Sequence, residues 1–238
     1  MLTRPKKRLM PKRKGVLKKI ILGTIGLLVL FIIALFVNYK IFEKNWSSVS
    51  LGQPIVNYGE RRAALLVVDI QEGTTGDVSR NSFYKKNADG LIEKINHISD
   101  VFKNRNYLIL YIRSEISNPL INLLDNSYAK GSLGAEFDKR LKLDSGLEVV
   151  KIGNDSFINS TLDSILTRNK INDLYIVGLD AAYCINITSK AAKNRNYHIS
   201  LIEEAILSES EVVKDSMMID FRNRGIQILS INSINIVE

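Results

Sequence analysis

The sequence predicts an α/β domain on a mostly parallel sheet with helices on both faces, preceded by one membrane-spanning helix. Three observations predict it. Short, nearly continuous apolar runs recur along the chain, such as Leu65-Leu66-Val67-Val68 and Leu174-Tyr175-Ile176-Val177. They alternate with stretches whose apolar residues recur every three to four positions. That alternation marks strands buried on both faces and joined by amphipathic crossover helices. Finally, Ile20 to Tyr39 is twenty residues without a charge. At ~1.5 Å per residue they make ~30 Å of helix, the thickness of a bilayer's hydrocarbon core.

The elements follow in order. Ala63–Asp69 reads as the first strand. Leu91, Ile95, Ile98 and Phe102 mark one helical face. Tyr107–Ile112 and the short Leu147–Lys151 are the next strands. Ile158, Leu162, Ile165 and Leu166 form a second helical face, with Ser160 and Asp163 as a capping box. Leu174–Val177 is a strand, Tyr183–Asn194 a helix and His198–Ile202 a strand. Val213, Met217 and Phe221 mark a last helix, with Ser208 and Glu211 as its capping box and Gly225 past its end. Ile226–Ile231 closes the sheet. Asn-Arg-Asn-Tyr occurs at 104–107 and 194–197, each time between a helix-like and a strand-like run, so one junction is solved twice.

Charge sets the topology. Residues 1–19 carry nine cations (Arg4, Lys6, Lys7, Arg8, Lys12, Arg13, Lys14, Lys18 and Lys19) and no acid. Only Lys40, Glu43 and Lys44 follow the span closely. The positive-inside rule places residues 1–19 in the cytoplasm and the rest outside. No Ala-x-Ala-like cleavage site follows the apolar run, so 20–39 reads as an uncleaved signal anchor in the lipid bilayer. Residues 40–60 read as a linker and 61–238 as one domain, long enough for an adequate core. The net charge of +8 belongs to the tail, since the remainder holds 24 basic and 25 acidic residues. Nucleic acid is therefore not an expected partner. A single cysteine excludes an internal disulfide. A homo-oligomer is left open.

Three reactive side chains fall at carboxyl ends of strands, where such sheets bind ligands. Asp69 ends the first, Lys151 ends the third, and Cys184 follows the fourth on the first turn of a helix. Unpaired N–H groups and the helix dipole favour an anion there, so the thiol pKa is expected to fall toward neutrality. An acid, a base and a thiol on one edge point to nucleophilic chemistry at Cys184.

These residues carry a resemblance. Leu65-Leu66-Val67-Val68-Asp69-Ile70-Gln71 resembles the first strand and D-x-Q signature of the isochorismatase-like cysteine hydrolases, which include nicotinamidases and related amidases. Lys130-Gly131-Ser132-Leu133-Gly134-Ala135-Glu136 resembles their Gly-Thr-x-Gly turn. Lys151, Asp155-Ser156-Phe157, Thr161 and Leu162 resemble their Lys…Ser-x-Phe…Thr-x-Leu segment. Val177 to Ile185 resembles their nucleophile loop. The resemblance spans about residues 62–231. It implies a Rossmann-like fold and an Asp–Lys–Cys triad: Cys184 as nucleophile, Asp69 as proton acceptor and donor, Lys151 as electrostatic support. It also implies an oxyanion hole from the backbone N–H groups of Asp180 and Cys184, with a cis peptide at Leu179–Asp180.

Departures narrow the function. Where nicotinamidases carry Asp-x-His metal ligands after the second strand, this chain reads Tyr111-Ile112-Arg113-Ser114-Glu115. His97 and His198 are the only histidines and read as structural. No metal and no cofactor are expected, and nicotinamide is disfavoured. Ala181 and Ala182 stand where the family often has Thr and Asp, so local hydrogen bonds are expected to be missing. Gln71 and Arg113 are the substrate-binding candidates, the latter through its planar fork of donors. Loops 71–82 and 114–129 are expected to line the pocket. The expected function is metal-independent hydrolysis of a small amide or related carbonyl compound outside the cytoplasm. The alternative is a non-hydrolytic thiol redox sensor or binding module on a degenerate hydrolase fold.

Overall fold

The computed structural model describes residues 13–56, 58–143 and 146–234. Most of the cationic tail, including Arg4, Lys6, Lys7, Arg8 and Lys12, lies outside them. The described chain begins with α1 (Arg13–Trp46), a 34-residue helix. Its apolar side chains are exposed, and it is the one helix among the described residues long and apolar enough to cross a membrane. It continues seven residues past Tyr39, so the expected linker begins as helix.

The domain is a six-stranded, all-parallel sheet. The strands are β1 (Ala63–Val68), β2 (Leu108–Ser114), β3 (Leu147–Lys151), β4 (Asp173–Gly178), β5 (His198–Ile206) and β6 (Gln227–Leu229). Their spatial order is β3-β2-β1-β4-β5-β6. The chain reverses direction across the sheet between β1 and β4, which opens a crevice at the carboxyl ends of those two strands.

The helices are α2 (Ser82–Asn104), α3 (Pro119–Leu124), α4 (Leu162–Arg168), α5 (Cys184–Asn194), α6 (Glu211–Asn223) and α7 (Ile231–Ile234). The period-two alternation of β1 divides the core. Ala64, Leu66 and Val68 pack with Leu162, Ile185, Met218 and Phe221, from α4, α5 and α6. Leu65 and Val67 pack with Leu91, Ile95, Ile98 and Phe102 of α2 and Ile234 of α7. Burying both faces is why the strands read as continuous apolar runs.

The repeated Asn-Arg-Asn-Tyr is a shared helix stop. Asn106 and Asn196 adopt left-handed φ of 57° and 64°. The N–H groups of Tyr107 and Tyr197 donate to Phe102 O and Ala192 O, five residues back. Both ends are Schellman motifs with Asn in the position glycine usually takes.

Several local expectations are corrected. Ile158 precedes α4 in a turn, so it does not share that helix's face. Ser160 does not form a box: α4 is entered through Thr161, which makes no side-chain cap. The cap of α6 is Ser210, whose hydroxyl accepts from Val213 N at 3.3 Å, because Ser208 is engaged elsewhere. β5 runs on to Ile206, and β6 stops at Leu229 because Ile231 opens α7.

Candidate active site

Backbone parity brings the reactive groups together. Ser114 and Lys151, the last residues of β2 and β3, are paired in register. They project on the face of Ile112 and Val149, which is also the face of Cys184. Asp69 follows β1 directly, and strict alternation would send it to the opposite face. Its φ of 56° breaks the alternation. A left-handed non-glycine residue costs roughly 1–2 kcal/mol, and this conformation brings the carboxylate to 2.9 Å from the Lys151 ammonium. Cys184 opens α5 and is 8 % exposed.

Lys151 is the hub. It is fully buried, and its ammonium lies 2.9 Å from Asp69 Oδ2. It donates to Ser114 Oγ at 2.7 Å, Gly153 O at 3.0 Å and Cys184 Sγ at 3.3 Å. Ser114 Oγ in turn donates to Asp69 Oδ1 at 3.0 Å. A buried ammonium is tolerable only with such compensation. Burial by itself would lower the Lys151 pKa, but the Asp69 carboxylate and the Cys184 sulfur outweigh it and hold the pKa above the ordinary lysine value.

The thiol departs from expectation. Burial pushes the Cys184 pKa well up, and the neighbouring Asp69 charge adds to the rise, while Lys151 opposes both. The helix N-terminus contributes only ~0.3–1 kcal/mol, whereas full burial shifts a group by up to 3–5 pKa units. Desolvation wins, and the resting thiol keeps its proton. It donates to Asn154 Oδ1 at 3.4 Å.

The loop before α5 is built for close approach. Gly178 has φ 115°, and a Cβ there would sit 2.1 Å from Val68 O, so only glycine fits between β4 and β1. The Leu179–Asp180 peptide is cis. Among the described residues, neither the Asp180 N–H nor the Cys184 N–H finds a hydrogen-bond acceptor. The expected loss of local hydrogen bonds at Ala181 and Ala182 is corrected by Asp180 itself. Its Oδ1 accepts from Ala182 N at 2.6 Å and from the Ser208 hydroxyl at 2.8 Å. Its Oδ2 accepts from the Tyr84 hydroxyl at 2.5 Å. Burial, reinforced by this bond to Asp180, raises the Tyr84 pKa. One carboxylate therefore ties the loop to α2 and to the segment after β5.

Gln71 and Arg113 turn out to be committed elsewhere. Gln71 is fully buried. Its amide donates to Ser114 O at 3.0 Å and Ala135 O at 2.8 Å and accepts from Ser114 N at 2.8 Å, which fixes the end of β2. Arg113 alternates to the face opposite Ser114. Its guanidinium pairs with Glu148 at 2.5 Å and Glu115 at 3.0 Å and stacks near Phe137. Of the expected lining loops, 114–129 contributes Tyr128. Its pKa is raised by burial and by the Asp69 charge, and its hydroxyl donates to Gly73 O at 3.2 Å.

A metal of the nicotinamidase type does not fit these donors. Ser114 is held between Asp69 and Lys151, and Glu115 is paired with Arg113. His97 is exposed on α2, and His198 begins β5 at the opposite edge of the sheet. Among the described residues, no three His, Cys, Asp or Glu side chains converge. Sequence reasoning missed Ser114, Asn154, Tyr84 and Ser208. The strand-end position of Ser114 beside Lys151 was a usable signal, whereas Tyr84 lies 96 residues from Asp180 and gave none.

A doubly wound parallel sheet carrying a thiol, an ammonium and a carboxylate at its switch point defines the class of protein. The sequence matches the Isochorismatase domain family over residues 63–233, and the chain belongs to that family. Its fold is similar to that of an isochorismatase family protein from Desulfovibrio vulgaris, at 19% identity and TM-score 0.66, over 75% of this chain and 98% of that one. It is also similar to N-carbamoylsarcosine amidase from Thermoplasma acidophilum, at 22% identity and TM-score 0.60, over 71% and 96%. Nicotinamidase from Bacillus subtilis aligns at 17% identity and TM-score 0.61, over 71% and 99%. No curated protein matches the chain in sequence.

Proposed function

We propose that this chain is a membrane-anchored cysteine hydrolase that cleaves a small amide or related carbonyl C–N compound through a Cys184 thioester, without a metal. The observation that carries the reading is the fully buried Lys151 ammonium, 2.9 Å from Asp69 and 3.3 Å from Cys184 Sγ. A structural ion pair has no need of a thiol at its other end. Asp69 takes the thiol proton as Sγ attacks the carbonyl carbon, and the Lys151 cation stabilises charge developing on sulfur. The carbonyl oxygen becomes an oxyanion held by the N–H groups of Asp180 and Cys184, each worth a few kcal/mol in a preorganised site. Collapse breaks the C–N bond, and the leaving nitrogen takes the proton from Asp69. Water then attacks the thioester, giving the acid and restoring the thiol. Membership of the isochorismatase family and likeness to amidases in fold support the reaction class.

Ammonia release from a panel of small primary amides tests the reading. Wild-type protein should release ammonia before and after exhaustive chelation, and Cys184→Ser should release none. Activity lost on chelation and restored by zinc, iron or manganese would refute metal independence. The apolar α1 and the cations before it support an anchor with the domain outside the cytoplasm. A reporter fused after Glu238 that works only in the cytoplasm would refute that orientation.

A further inference from the structure

We infer that the segment from Trp46 to Ile55, where α1 gives way to the domain, positions the active-site thiol. It does so by holding the Gly153–Asn154 turn, which supplies acceptors to both Lys151 and Cys184. The inference rests on the reading of Cys184 as the reactive group.

The contacts form a continuous chain. The Asn154 N–H donates to Trp46 O at 2.8 Å. Asn154 Oδ1 accepts from the Cys184 thiol at 3.4 Å, and Gly153 O accepts from Lys151 at 3.0 Å. The approach is close, since a Cβ at 153 would lie 3.2 Å from Trp46 O and would push the two segments apart by a few tenths of an ångström. The segment is itself fastened. Ser50 N–H donates to Asp155 Oδ2 at 2.7 Å, and Asp155 Oδ1 accepts from Phe157 N at 2.8 Å. Ser50 Oγ accepts from Arg195 at 2.9 Å, and Ile55 N–H donates to Arg195 O at 2.8 Å. Arg195 is 3 % exposed and is held by two 2.8 Å bonds to Asp163. Val49 and Ile55 pack on the core that contains Cys184. Trp46 O is therefore presented to Asn154 by a strap whose other end is fixed.

The consequence for the thiol has a sign. Asn154 Oδ1 accepts from the protonated form and so favours it. Gly153 O occupies part of the ammonium that would otherwise face a thiolate. Loosening the turn removes both effects, and the thiol pKa should fall.

Cys184 is the sole cysteine, so iodoacetamide labelling of the full-length protein reads this site alone. Labelling also reports on the thiol whether or not the protein hydrolyses anything, so it separates this inference from the proposed reaction. Two glycines inserted between Ser47 and Ser48 should move the midpoint of the labelling profile to lower pH by about half a unit or more, about threefold in rate below the midpoint. The same insertion between Gly59 and Glu60, beyond the strap, should leave the profile in place. If the first insertion prevents folding, Gly153→Ala should give the same direction of shift. A profile unmoved by the Ser47 insertion or by Gly153→Ala, or moved equally by both insertions, would overturn the inference.

Discussion

At the amino-terminal edge of the sheet, where β1, β4 and β5 begin, Arg61, Tyr107, Asp173 and His198 line an open cavity of about 670 Å³. At the carboxyl-terminal edge, Asp69, Ser114, Lys151 and Cys184 crowd into a buried cluster around one ammonium. At the first edge the Arg61 side chain that pairs with Asp173 is 72% exposed to water. In the second, the Lys151 side chain is 0% exposed and Asp69 only 7%. Water levels the energies of charges at the first edge, while desolvation makes every neighbour count at the second. The proposed chemistry rests on the second edge, where a buried ammonium lies beside a thiol and a carboxylate.

The largest expected contrast is catalytic. Asp69→Asn should keep the fold yet lower turnover by roughly 10²–10⁴-fold, because the thiol loses its proton acceptor. His198→Ala, at the other edge, should leave turnover unchanged. Equal losses in both would break the comparison.

Next comes stability. Lys151→Met strands the Asp69 carboxylate in the core and should cost about 3–5 kcal/mol in denaturant unfolding. Arg61→Ala breaks an exposed pair and should cost under about 1 kcal/mol. Similar costs would mean that the Lys151 cluster is more hydrated than its burial indicates.

Tyr84→Phe sharpens the account of the nucleophile loop. It removes one of three hydrogen bonds to the Asp180 carboxylate. The loss should lower kcat about tenfold, or ~1.4 kcal/mol, near the lower bound for a hydrogen bond to a charged group. KM should stay nearly constant if the loop matters chiefly in the transition state. A rise in KM at constant kcat would instead assign Tyr84 to substrate binding.

The smallest effect is on pH dependence. Cys184 and Lys151 both have folded pKa values above their ordinary ones. Each therefore contributes stability that is fully present below its unfolded pKa, about 8.5 and 10.4, and is lost as pH rises toward the folded value. Melting temperature should decline above about pH 8.5, and Cys184→Ala should delay the onset to about pH 10. An identical alkaline decline in the two proteins would contradict a raised thiol pKa.

The sheet and most of its helices were legible because both faces of every central strand are buried, which writes apolar runs into the sequence. The Asn-Arg-Asn-Tyr stops were legible because a left-handed position selects few residues. Asp69, Lys151 and Cys184 could be found because each sits where a strand ends. The thiol's pKa was misjudged because a helix terminus is visible in sequence, whereas the packing that desolvates it is not. Gln71 and Arg113 stand out by residue type, whereas their partners Ala135, Glu115 and Glu148 are set by the fold and leave no mark in the sequence. Ser208 was read as a cap because Glu211 follows it at the right spacing. Its actual partner, Asp180, is distant in sequence and adjacent only in the fold.

The central claim is that Cys184, served by Asp69 and Lys151, carries the acyl group during turnover. Acid-quenched, full-length protein turning over a primary amide can be weighed intact and after peptide digestion. The account predicts an added mass equal to the acyl group of the substrate, located on Cys184 and absent from Cys184→Ser, which should also release no ammonia. Ammonia release that continues in Cys184→Ser, with no acyl adduct on the wild-type thiol, would contradict it.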